Sequence, residues 1–352
     1  MIPPEMKAAV YRGRGKVEVE RVPVPPIGPG EVLVRIAACG VCHTDLKKVE
    51  YGLQPPPRIY GHEMAGVIAA MGKGVRGWKI GDRVAVFHHI PCGNCFYCER
   101  GDYAQCPVYK KTGSTAGFEP AGGGFAEYIR VLPWIVQNGM VRVPKSVPLE
   151  YASFLEPVNT CLKGVDRLNL RKGDLALVFG QGPIGLLFTQ LLKARGATPI
   201  GLDLIASRRR LSTKLGAAWS ADPRAPGFEK RLRKESDGRG ADAAVLAVPS
   251  EAALKQALSL LRPGGTVLLF AHTRKGEEVR VDAGAVCVDE KTVLGSYSSS
   301  IDVADEVARL VFSRRVDVGP LISHRFPLEK VTEAFELAAH PTPTSLKILV
   351  TP

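Results

Sequence analysis

Apolar and polar positions follow two different rhythms along the chain. Up to about residue 150 the apolar stretches are short. Lys7 to Tyr11, Val17 to Val22, Glu31 to Ala38, Gly66 to Ala70 and Asp82 to Val86 are rich in Val, Ile or Ala, the pattern of brief strands. Val22-Pro-Val-Pro-Pro-Ile-Gly-Pro-Gly30 is a rigid turn segment between two of them. Strands of this length and spacing predict a small β-barrel or sandwich. The rhythm changes near Pro157. Asp174 to Phe179 is a continuous apolar run ending in glycines, Ile184 to Arg195 has helical spacing, Pro199 to Leu202 is a second apolar strand, and Arg208 to Leu215 a second helix. Ala243 to Val248, Glu251 to Leu261 and Thr266 to Phe270 repeat the alternation. Strands buried on both faces and alternating with helices predict a parallel α/β sheet. From about Ser313 the chain approaches a last strand, Leu346-Lys-Ile-Leu-Val350, placed to return to the first domain.

A length of 352 residues exceeds one ordinary core and predicts two domains. The start, Met1 to Lys7, has no charged leader before an apolar run, so no secretory signal is expected. The most apolar stretch, Leu175 to Leu192, is interrupted by Gly180, Gln181, Gly182, Pro183 and Gly185 and is too broken to span a bilayer. A cytoplasmic protein with no membrane partner is expected. The net charge of +12 is mostly scattered, with one tight run at Arg208 to Arg210 and a looser cluster at Lys230 to Lys234. Neither interleaves aromatics, so a solvated basic surface is favoured over a nucleic-acid site.

Gly180-Gln-Gly-Pro-Ile-Gly185 is G-x-G-x-x-G between an expected strand and an expected helix. The first glycine permits the turn, the second admits a pyrophosphate, and the third lets helix and strand pack closely. Gly180, Gly182, Pro183, Ile184 and Gly185 thus form a candidate dinucleotide cradle. Asp203 ends the next strand, where a carboxylate would accept the ribose hydroxyls and repel a 2′-phosphate. That favours NAD, while Arg208 and Arg209 just beyond leave NADP open.

Six of the eight cysteines fall in two clusters. In a reducing compartment spaced cysteines point to metal. Cys92, Cys95, Cys98 and Cys106 read C-x2-C-x2-C-x7-C. Four thiolates close a tetrahedron and leave no open position, which makes this zinc structural. An iron–sulfur run needs a different last spacing, and a zinc-ribbon module would carry more positive charge than Gly93, Asn94, Glu99 and Asp102 supply. The second cluster is Cys39-Gly-Val-Cys42-His-Thr-Asp45 with Gly61-His62-Glu63. A reactive zinc takes mixed ligands and keeps one position open. Cys42 and His62 are the first choices, and Glu63 or Glu156 the third, directly or through water. Asp45 is placed to hold the far nitrogen of His62. Cys39, Cys161 and Cys287 read as buried small hydrophobes. His88, His89, His272, His324 and His340 carry no marking spacing. A deaminase reading needs H-x-E before P-C-x-x-C, and the adjacent His62 and Glu63 do not supply it.

Gly40-Val-Cys42-His-Thr-Asp45, Gly61-His62-Glu63, the Cys92 to Cys106 lobe, Glu156-Pro157 and Gly180 to Gly185 occur in the order and approximate spacing of the zinc-dependent medium-chain dehydrogenase family, which the whole chain resembles. Gly122 to Tyr128, Leu321 to Leu328 and Glu156-Pro157 look most like its sorbitol, iditol and threonine dehydrogenase branch. The resemblance implies a GroES-like β-barrel catalytic domain (1–157), a Rossmann NAD-binding domain (158–312) and a return to the first domain (313–352). It also implies a homodimer or homotetramer joined edge to edge through Val293 to Tyr297. One catalytic and one structural zinc are implied, with hydride passing between an alcohol or ketone and NAD. Thr44 would then begin a proton relay. The family often continues with a histidine and a tyrosine where this chain has Lys47 and Lys48, and with an Arg where Ser296 precedes Tyr297. Lys48 faces either solvent or an anionic or multiply hydroxylated substrate. The expected substrate is a secondary alcohol in a polyol, cyclitol or related compound, with an amino alcohol such as threonine, or a non-catalytic nucleotide binder, as alternatives.

Overall fold

The computed structural model describes the chain except for residues 110, 112, 120, 121, 272–275 and 277, so His272 lies outside the described residues. By contact the chain forms two compact units. One holds Met1–Pro157, Ser299–Arg314 and Val318–Pro352, and the other Val158–Ser298 and Arg315–Asp317. Residues 299–312, expected with the nucleotide domain, group with the first unit because the helix Ala304–Phe312 packs on the short helix Leu149–Ala152.

The first unit is built on antiparallel strands. Val32–Gly40 pairs with Glu63–Met71, which pairs with Arg83–Val86. The final strand Lys347–Thr351 pairs antiparallel with Val32–Gly40, at Leu349 opposite Gly40 and Val350 opposite Cys39. The chain end therefore returns beside the Cys39–Cys42 segment. A smaller sheet joins Lys16–Pro23, Glu5–Gly13 and Arg58–Ile59. Alternating Val, Ile and Ala side chains of these strands fill the interior: Val32, Val34, Ala38, Ile59, Ala65 and Val84 are fully buried.

The second unit carries a parallel sheet. Among the described residues its strands lie in the order Trp219–Ala221, Thr198–Leu202, Leu175–Phe179, Ala241–Leu246, Leu261–Leu269 and Thr292–Gly295. Ranked by chain position this is 3-2-1-4-5-6, the Rossmann order, with its crevice at the carboxyl end of the first strand. Leu177, Ala244, Val245 and Val267 are fully buried, as doubly covered strands require. The edge strand is shorter than the expected Val293 to Tyr297 and stops at Gly295. No helix among the described residues is long and apolar enough to cross a membrane.

Candidate functional site

In the first unit, Cys42 is the N-cap of the helix His43–Tyr51. Its sulfur accepts the Thr44 N–H at 3.4 Å, and Asp45 reaches back to accept the Cys42 N–H at 3.4 Å. This reciprocal cap satisfies two of the helix's unpaired donors and fixes the direction of the sulfur. His62 and Glu63 come from the start of the neighbouring strand, after Gly61, whose φ of 97° turns the chain inward. One ligand atom each of Cys42, His62 and Glu63 lies within 4.8 Å of the others. A sulfur, an imidazole nitrogen and a carboxylate oxygen converging in a buried spot are a donor set that zinc accepts. Asp45, fully buried, meets His62 Nδ1 at 3.1 Å, which leaves Nε2 to face the cluster. Burial pushes His62 down, but Asp45 and Cys42 outweigh it and hold the imidazole well above its ordinary range. The cluster attracts positive charge.

Glu156 begins the helix Leu155–Arg167, is buried, and is not in the set that meets within that distance. Burial drives its carboxyl up to about 7, with His62 opposing and Glu63 adding to the rise. Sequence patterning missed one buried charge beside these carboxylates. Lys347, 6% exposed, forms an ion pair with Glu63 and donates to the Val41 carbonyl at 3.1 Å. Burial works against its charge, but Glu63 and Cys42 hold its pKa above normal. The pair crosses the face of Gly40, where a Cβ would collide with the Glu63 carboxylate and come within 2.7 Å of the Lys347 stem. The one signal was a lysine inside the apolar run Leu346 to Val350. Lys48 lies with its ammonium 5.4 Å from the centre of the Tyr60 ring.

Cys92, Cys95, Cys98 and Cys106 also converge, with Cys95–Cys98 and Cys92–Cys106 sulfurs each 3.6 Å apart. Tetrahedral zinc with bonds of about 2.3 Å places sulfurs roughly 3.8 Å apart, so the donors fit. Burial pushes the Cys98 thiol up to about 12. Cys106, despite burial, is drawn down to about 6 by N–H groups of Cys92 and Val108. Of the other cysteines, Cys39 and Cys161 are buried as expected, but Cys287 is exposed. It sits on the helix Ala283–Val288, none of whose residues is buried, so the reading of Cys287 as a core residue is corrected. His88, given no role by spacing, packs its ring against His62 with centroids 4.9 Å apart.

In the second unit Gly180 follows the strand Leu175–Phe179 with φ 87°, and Gly182 caps the helix Pro183–Ala194, with Pro183 in its first turn. A Cβ at Gly185 would overlap the Gly180 carbonyl oxygen, which is why that position has no side chain. Asp203 accepts the Gln181 N–H at 2.6 Å and the Ile205 N–H at 2.7 Å. Its carboxylate is thereby fixed beside the glycine turn. Arg208 is half-buried in the first turn of the helix Ala206–Lys214. Arg209 donates to the Asp203 and Leu204 carbonyls at 2.8 and 2.9 Å.

The chain is similar to known proteins along nearly its whole length. Residues 28–145 match the alcohol dehydrogenase GroES-like domain, and residues 183–313 match the zinc-binding dehydrogenase family. The sorbitol dehydrogenase of Bacillus subtilis is 30% identical over 357 residues, covering 100% of this chain and 98% of that protein. The L-threonine 3-dehydrogenase of Pyrococcus abyssi is 35% identical over 342 residues, 94% of each chain. The crystal structure of a zinc-binding dehydrogenase from Sinorhizobium meliloti bound to NADP superposes with a TM-score of 0.89 at 30% identity, covering 99% of this chain and 100% of that one.

Proposed function

We propose, from the premise that the chain belongs to the zinc-dependent medium-chain dehydrogenase family, that it reversibly oxidises a secondary alcohol of a polyol, cyclitol or related hydroxylated compound with NAD. The observation that carries the reading is the meeting of half-buried Cys42 with buried His62 and Glu63. Bound zinc would polarise the substrate oxygen and lower the alcohol's pKa, and bound nicotinamide would accept the hydride. Cys42 and His62 would hold the metal, with Asp45 fixing the tautomer and orientation of His62. Glu63 and Glu156 share the third ligand position, Lys347 restraining Glu63. The hydroxyl of Thr44, whose N–H bonds the Cys42 sulfur, would take the substrate proton and pass it outward. Cys92, Cys95, Cys98 and Cys106 would hold a second, structural zinc.

Gly180, Gly182, Pro183, Ile184 and Gly185 would cradle the pyrophosphate at a helix N-terminus. Asp203 accepts two N–H bonds and has lone pairs left for ribose hydroxyls, which favours NAD. Arg208 would serve a 2′-phosphate if NADP were taken instead. The edge strand Thr292–Gly295, with Val293 42% exposed, supports a homo-oligomer. Thiols gathered as metal ligands suit a reducing, cytoplasmic setting.

A second reading, an amino alcohol substrate, is favoured by the 35% identity to L-threonine 3-dehydrogenases. The test is nicotinamide reduction, followed by near-UV absorbance, against polyols, cyclitols, simple alcohols and threonine, with NAD and NADP in parallel. Turnover of a polyol or cyclitol with NAD supports the first reading. Turnover of threonine alone supports the second. Inertness of the zinc-loaded protein towards the whole panel would refute both.

A further inference from the structure

A column of rings runs from the metal ligand His62 to the four-cysteine lobe, all within the first unit. The His88 ring packs against His62, tilted by 41°, at 4.9 Å between centroids, His89 lies 4.1 Å from His88, and Tyr109 lies 5.4 Å from His89. Tyr109 is 2% exposed and packs in one apolar cluster with Cys98 and Cys106. Its hydroxyl meets the Ser299 hydroxyl at 2.9 Å, and its N–H donates to the Cys106 carbonyl at 3.1 Å. A backbone bridge runs beside the rings, where His89 pairs with Gly113, a few residues past the lobe. A Cβ at residue 113 would strike the His88 carbonyl and lie 3.3 Å from His89 Nδ1. The close approach therefore requires glycine.

The hydrogen bond from His62 to Asp45 fixes one edge of the imidazole. A ring held only at one edge still swings about that bond, and the swing would move Nε2 off the cluster. His88 packs against the ring at a tilt of 41° and limits that swing. His88 is in turn backed by His89, and His89 by Tyr109, whose place is set by the cysteine lobe and by Ser299. The orientation of His62 thus has two determinants: Asp45 on its edge and the lobe-anchored column on its face. Ligand orientation of this kind tunes metal affinity.

We propose that His88, His89 and Tyr109 are positioning residues that transmit the packing of the four-cysteine lobe to His62, so that the lobe helps hold the metal at the other site. The proposal rests on the reading that Cys42 and His62 bind that metal. It gives the lobe a task besides local stability.

The test is a double-substitution cycle of His89→Leu and Tyr109→Leu, with Tyr109→Phe as the conservative partner. Two properties of the fully loaded protein are read. One is the rate at which the Cys42–His62 site gives up zinc to a chromogenic chelator. The other is the cadmium NMR spectrum of cadmium-loaded protein, in which a four-thiolate site and a one-thiolate site resonate apart. Each Leu variant is expected to release that zinc about three- to tenfold faster, less than the roughly 10–100-fold of a residue bonded directly to a ligand. Each is also expected to shift the one-thiolate resonance. The double variant should be no worse than the single ones, because both cut the same column. Tyr109→Phe, which keeps the ring, should stay close to the parent. Should Tyr109→Leu lose the four-thiolate resonance, His89→Leu, outside the lobe's cluster, decides alone. Unchanged release and resonance in His89→Leu, or additive effects in the double variant, would overturn the proposal. Cys42→Ser separates the underlying reading: if the one-thiolate resonance persists unmoved there, the metal assignment itself fails and the column's role with it.

Discussion

Replacing Lys347 by methionine tests the electrostatics of the site without altering a candidate metal ligand. Methionine keeps most of the apolar stem and removes the charge. In the parent protein the side chains of Lys347 and Glu63 are 8% and 2% exposed, so neither charge is screened by water. Breaking a buried pair from one side leaves an uncompensated charge and costs about 3–5 kcal/mol. The bond from Lys347 to the Val41 carbonyl is worth about 1 kcal/mol of that. Lys7→Met is the control. It breaks the Lys7–Glu329 pair, whose side chains are 42% and 52% exposed, and should cost about 1 kcal/mol or less. The assay is urea unfolding of chelator-treated protein, followed by the fluorescence of Trp78 and Trp134, both in the first unit. With a slope of about 3 kcal/mol per molar urea, the midpoint should fall by roughly 1–1.7 M for Lys347→Met and by about 0.3 M or less for Lys7→Met. Equal small shifts for the two variants would refute the idea that Lys347 is a buried counter-ion.

Three further outcomes follow from other parts of the chain. Burial pushes the Asp82 carboxyl up, but Arg142 and the Lys79 N–H outweigh it and leave its pKa depressed. A depressed carboxylate stabilises the fold above its unfolded pKa of about 3.9 and loses that contribution as pH falls through the folded value. Asp82→Asn should therefore cost roughly 1 kcal/mol at pH 7 and approach the parent as pH falls below the depressed folded value, as read from urea midpoints across pH. Gly185→Ala forces the helix start away from the Gly180 carbonyl and should weaken NAD binding by about tenfold or more, since an overpacked contact costs about 1–3 kcal/mol, measured by quenching of protein fluorescence. Val293→Lys puts a charge on the exposed edge strand and should drive an oligomer to smaller species, measured by light scattering.

The architecture was legible because its two hydrophobic rhythms are so unlike. Short bounded strands and long doubly buried ones place different physical demands on sequence, and the strands at Leu175–Phe179 and Thr198–Leu202 fall within a residue of their expected positions. The metal-ligand candidates were legible for a related reason. Cysteine clusters in a reducing setting have few uses, and Cys42, His62 and Glu63 do converge. What stayed hidden depends on three-dimensional pairing. Lys347 is remote in sequence from Glu63 and meets it only because the last strand pairs with Val32–Gly40. His88 and His89 carry no spacing signal, and their place against His62 and Tyr109 comes from packing. Cys287 was misplaced because buried and exposed cysteines look alike in sequence. Its helix, Ala283–Val288, has apolar residues, but none of them is buried.

The most direct test of the central claim joins metal content to turnover in one protein. Zinc per chain and the rate of nicotinamide reduction with the best alcohol of the panel would be measured for the parent, Cys42→Ser and Cys92→Ser. The account requires Cys42→Ser to stay folded, lose one zinc and lose turnover, while Cys92→Ser loses the other zinc and chiefly stability. Full turnover and undiminished zinc in Cys42→Ser would contradict it, because the reacting centre would then lie elsewhere.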